Sequence, residues 1–131
     1  MSRIERLETD GIAKPTGIWS TIVTANPGKL AFLSGFISID AEGNPVGVGD
    51  MRAQTWRVCE QVQIAVLAIG AQMSDVVRVD VYTTDLKQFA AIHAARREFF
   101  GAHPPASTMV EVSKLVGDHS MIEMNAIVAV P

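Results

Sequence analysis

The chain has 131 residues, 48% of them hydrophobic, a formal net charge of −3 and a single cysteine. That length suits one domain, residues 1–131, able to bury its own core. The acidic balance and scattered Lys and Arg argue against a nucleic-acid partner, lone Cys59 excludes an intramolecular disulfide framework, and no apolar run suits a membrane span or a signal peptide, so a cytoplasmic protein is expected.

Residues 3–8 alternate weakly and suggest an edge strand. Residues 18–25 read as a second strand, and residues 29–37 as its hairpin partner across the turn Asn26-Pro27-Gly28. Asp50 is a candidate N-cap for a first helix. Thr55, Cys59, Val62, Val66 and Ile69 recur on it at helical spacing, and Gly70 suits the position just past its end. Residues 76–83 alternate as a strand. Asp85 and Gln88 have capping-box spacing before a second helix with the apolar stripe Phe89, Ile92, Phe99 and Phe100. His103-Pro104-Pro105 ends that helix.

Two further runs follow, Pro105–Val112 and Ile122–Val130, on either side of a turn containing Gly117 and Asp118, and they read as a closing hairpin. In the second run Ile122, Met124, Ala126, Val128 and Val130 point one way, and Glu123 and Asn125 the other. A carboxylate in such a strand is costly unless its face is solvated, paired or functional. The predicted order is β-β-β-α-β-α-β-β, an α+β two-layer domain with two helices on one face of a mixed sheet. The other face needs a cover, and the high apolar fraction points to a subunit interface.

The run Pro105-Ala106-Ser107-Thr108-Met109-Val110-Glu111-Val112 with Ile122-Glu123-Met124-Asn125-Ala126 resembles the signature of the RidA/YjgF family of reactive-intermediate deaminases, also known as L-PSP endoribonuclease-like proteins. Gly17-Ile18-Trp19-Ser20, Leu33-Ser34-Gly35-Phe36-Ile37, Val79-Asp80-Val81-Tyr82 with Thr84-Asp85-Leu86 and Phe89, and Glu98-Phe99-Phe100 extend the resemblance from about residue 12 to the end. It implies a chorismate mutase-like fold, a homotrimer, and a small-molecule ligand in an intersubunit cleft, with no cofactor. The matching glutamate, Glu123, would orient the water that attacks an imine carbon. Trp19, Ser34, Gly35, Phe36, Ser107, Thr108 and Met109 would line the ligand site.

One position departs from the pattern: Ser107 stands where the deaminating members carry Arg. An arginine fork binds a carboxylate bidentately; a serine supplies one hydroxyl and no charge. Either the ligand lacks that carboxylate, or another cation (Lys114, Arg78 or His119) binds it, or the activity is lost. The expected function is hydrolytic deamination of a small imine, enamine or related nitrogen metabolite other than a standard 2-iminoacid. The alternative is a non-catalytic binding or regulatory protein, which the apolar Trp19 and Phe36 would suit. The three histidines and one cysteine show no metal-ligand spacing, and Cys59, on an apolar stripe, reads as core.

Overall fold

The computed structural model describes residues 3–131. Its strands are β1 (Ile4–Leu7), β2 (Ile22–Ala25), β3 (Lys29–Phe36), β4 (Val76–Thr83), β5 (Ala106–Glu111) and β6 (Ile122–Val130), with helices α1 (Met51–Ala68) and α2 (Phe89–Phe100). The order of elements is the predicted one. A four-stranded mixed sheet runs β3-β6-β4-β5, and β1 and β2 form a separate antiparallel pair. Both helices pack on one face of the large sheet, which makes the two-layer α+β domain. Among the described residues no helix is long and apolar enough to cross a membrane.

The helix ends follow from the sequence. Asp50 accepts the Ala53 N–H at 3.0 Å and so satisfies a donor of the first turn of α1. At the other end Gly70, with φ +76°, lets the chain turn out of the helix. Its N–H donates to the Leu67 carbonyl, and that of Ala71 to the Val66 carbonyl, both at 3.1 Å. Asp85 caps a short 3-10 turn, Leu86–Gln88, that leads into α2, rather than capping α2 itself.

Strand pairing differs from the two hairpins expected. β2 pairs with β1, and β3 pairs with β6. The Gly28 N–H donates to the Val130 carbonyl at 2.7 Å, so the Asn26-Pro27-Gly28 link hands the chain to β6 instead of turning it back. A Cβ on Gly28 would lie 2.8 Å from the Pro131 backbone, so only glycine allows this approach. Residues 18–21 leave the strand and anchor at the start of β5, where the Ser20 N–H donates to the Pro105 carbonyl at 2.9 Å. The closing hairpin is also absent, because β4 lies between β5 and β6. β5 joins β4 in parallel through α2, and residues 112–121 are long enough to pass over β4 to the slot where β6 fits.

The core joins the α1 residues Val58, Cys59, Val62 and Val66 to Val79, Val81, Met124, Ala126 and Val128 of the sheet and to Ile92 and Phe100 of α2. Each buried Val, Ile, Met or Phe among them stabilises the fold by about 1.5–3 kcal/mol relative to exposure. The α2 stripe is shifted from the expected one. Phe89 is 49% exposed, and the buried positions are Ile92, Ala95, Arg96 and Phe100. A buried amide, Gln54, ties α1 to the loop before β6: it donates to the Gly47 and His119 carbonyls and accepts the Met121 N–H.

Candidate functional site

Side-chain alternation divides the candidate residues between the two faces of the sheet. Glu123 lies opposite Tyr82 of β4, on the face away from the helices, together with Asn125 and Thr108. Ser107 pairs with Val79 and Met109 with Val81, so both face the helical layer. Phe36 pairs with the buried Met124 and packs against the core. Within one chain Ser107 and Glu123 therefore sit on opposite faces of the sheet. The sequence had suggested that they lie near one another.

On the open face the register slips between Leu33 and Phe36, which takes Ser34 and Gly35 out of the β3 ladder. The Glu123 carboxylate occupies the space beside Gly35: a Cβ there would lie 2.2 Å from Oε2. Glycine at 35 is what allows Glu123 its position. Among the described residues no side-chain hydrogen bond or ion pair engages that carboxylate. Its neighbours are committed to one another. Arg78 donates to Asp80 at 2.8 Å and to the Thr108 hydroxyl at 2.7 Å, and Asn125 donates to Asp80 at 3.3 Å. Arg78 is thus already paired and is a poor substitute for a carboxylate-binding arginine.

The other proposed substitutes lie in the loop before β6. His119 has Nε2 3.0 Å from the Ser38 carbonyl, which links that loop to the one after β3. Lys114 and His119 both line a shallow cleft with Thr84, Asp118 and Ser120.

At the start of β5 a different group gathers. Ser107 Oγ accepts a hydrogen bond from Arg96 Nη2 of α2 at 2.9 Å, and the same nitrogen donates to the Ile18 carbonyl at 3.2 Å. Arg96 is only 5% exposed. Burial lowers its pKa from the ordinary arginine value. Neighbouring Cys59 supplies no counter-charge, since burial pushes its thiol up to about 12; this also makes Cys59 an inert core residue. Arg96 was absent from the residues singled out by sequence, yet Ile92, Arg96 and Phe100 recur every four residues and so share one helix face.

Close by, a Cβ on Gly17 would lie 3.3 Å from the His93 ring, and His93 stacks on Phe89 with centroids 5.5 Å apart. Trp19 lines a cleft of about 370 Å³ with Arg6, Ser20, Thr21 and Pro104. Among the described residues no cluster of His, Cys, Asp and Glu could hold a metal ion.

Comparison with known proteins gives a consistent answer. The family described as endoribonuclease L-PSP matches residues 11–130. A RutC family protein of Pyrococcus abyssi is 39% identical over 123 residues, 94% of each chain. A protein of Dermatophagoides farinae named 2-iminobutanoate/2-iminopropanoate deaminase is 30% identical over 130 residues, 99% of each chain. Among solved structures, a Rid-family protein from Yersinia pestis superposes with a TM-score of 0.91 at 26% identity, covering 98% of this chain and 100% of its own.

Proposed function

Because this chain belongs to the RidA/YjgF family, described also as endoribonuclease L-PSP, we propose that it is a cofactor-independent hydrolase that deaminates a small imine or enamine. The observation that carries this reading is Glu123: a half-buried carboxylate, unpaired among the described residues, beside a glycine that gives it room. Such a group can hold a water and accept its proton as the oxygen attacks the imine carbon. The proton passes to nitrogen, the resulting carbinolamine collapses, and a carbonyl compound and ammonia leave; one imine and one water are consumed. The relative named as an iminoacid deaminase supports the reaction class.

The assembly proposed is a homotrimer, with the open sheet face turned toward its neighbours and the ligand in a cleft between subunits. Phe32, 72% exposed, and Leu30 give that face an apolar edge that gains from being covered. Across such a boundary the Ser107 of one chain can approach the Glu123 of the next. The uncharged Ser107 favours a second reading, a small-molecule binder without turnover. An RNA substrate fits poorly with a net charge of −3.

A panel of imines, both 2-iminoacids generated in situ from amino acids by an oxidase and imines without a carboxylate, with ammonia release followed, separates these readings. Glu123→Gln should retain fold and assembly and lose about 100-fold or more in turnover, within the range of general-base contributions. Equal rates for both proteins would remove Glu123 from the mechanism. Binding without turnover in the native protein would favour the second reading.

A further inference from the structure

We propose that Arg96 and Ser107 together form a binding site for the carboxylate of a small organic acid. The case begins with an imbalance of charge. Arg96 is a buried guanidinium whose partners are neutral, the Ile18 carbonyl and the Ser107 hydroxyl, and among the described residues no carboxylate pairs with it. Burying a cation without a counter-ion is expensive.

The donors left over suit an oxyanion. Arg96 Nε is buried and has no hydrogen-bond partner among the described residues. Arginine presents its donors as a planar fork that matches a carboxylate. Ser107 accepts from Arg96 through its oxygen, so its own proton remains available to donate to the same anion. The serine at 107 and the arginine at 96 would then share one task, with the charge supplied from α2 instead of β5.

The nearest opening lies along the segment before β2. The residues on either side of Ile18 (Gly17 and Trp19) line the 370 Å³ cleft, as does Thr21, whose Oγ1 is also buried without a partner among the described residues. Arg96 and Ser107 lie behind the wall of that cleft, so an acid entering there reaches the guanidinium by displacing the Ile18 carbonyl from it. This deepens the deaminase reading by giving the substrate a carboxylate, but binding is read without turnover, so the two can fail separately.

The test is a titration of the ¹⁵N-labelled protein with propionate, pyruvate and propanamide. The Arg96 Nε–H resonance, assigned by its absence in Arg96→Lys, should shift with the two acids and not with the amide. Both acids should raise the melting temperature. Arg96→Lys should bind at least tenfold more weakly, because the fork is lost. An unmoved Arg96 resonance at saturating acid, or propanamide binding as tightly as propionate, would overturn the proposal and leave Arg96 as a strut between α2 and β5. If Arg96→Lys fails to fold, the Nε–H resonance is assigned through bonds in the native protein, whose titration still decides.

Discussion

On the helix-covered face of the sheet, Val79, Val81, Met124 and Val128 are fully buried beneath α1 and α2, whereas on the open face Glu123, Asn125, Asp80 and Arg78 keep part of their surface in water. The same strands supply both sets, since alternation sends neighbouring residues to opposite sides. β6 shows it most plainly: Ile122, Met124, Ala126 and Val128 anchor the fold, and Glu123 lies between two of them. Rigid packing below fixes the strand that aims the carboxylate above, so the two faces should respond to mutation in opposite ways.

The largest effect should come from the buried face. Ile92→Ala removes a fully buried side chain and should cost about 2–5 kcal/mol of stability, read by chemical denaturation, with turnover per folded molecule little changed. An equal loss of turnover without unfolding would mean that α2 packing and the open face are directly coupled.

Next is Gly35→Ala on the open face. The new methyl would meet the flexible end of the Glu123 side chain, so the carboxylate should swing away at little cost to the fold. Turnover is expected to fall by about tenfold, some 1.4 kcal/mol in the barrier, while the unfolding midpoint shifts by only about 0.5 kcal/mol. Unchanged turnover would show that the position of the carboxylate beside Gly35 is immaterial to the chemistry.

The smallest effect concerns His93, whose pKa is lowered by burial, then by Arg97 and Arg96. The unfolded chain binds this proton more readily than the folded one. Its contribution to stability is therefore full above about pH 6.5, the ordinary histidine value, and is lost as pH falls from there through the depressed native value. Melting curves between pH 7.5 and 5.5 should fall slightly less steeply for His93→Gln. A steeper fall in the variant would reverse the sign assigned here.

The elements themselves were legible in the sequence because their signals are local: the Asp50 cap, the Gly70 stop, the alternation of residues 76–83 and 122–130. Pairing partners were not. Alternation tells which residues share a face and is silent about which strand lies alongside, so both hairpins were assigned to sequence neighbours. The same gap explains the site. Glu123 and Gly35 belong together through β6 lying beside β3, a contact between strands far apart in the chain. Ser107 was expected near Glu123, but its parallel register with β4 turns it to the helices. Arg96 was overlooked because a charged residue on a helix is usually read as solvated, although its spacing with Ile92 and Phe100 placed it inside.

The position of β6 between β3 and β4 bears on how the chain is made. Neither β3 nor β4 borders the other; each pairs with β6, which is the last strand of the sheet to leave the ribosome. Until it emerges, β3 has no neighbour in the four-stranded sheet and β4 has only β5, so the apolar sides of both strands wait without the layer that completes them. Assembly of this domain is thus postponed to the end of its synthesis, with an interval in which exposed strand edges depend on speed or on chaperones for protection.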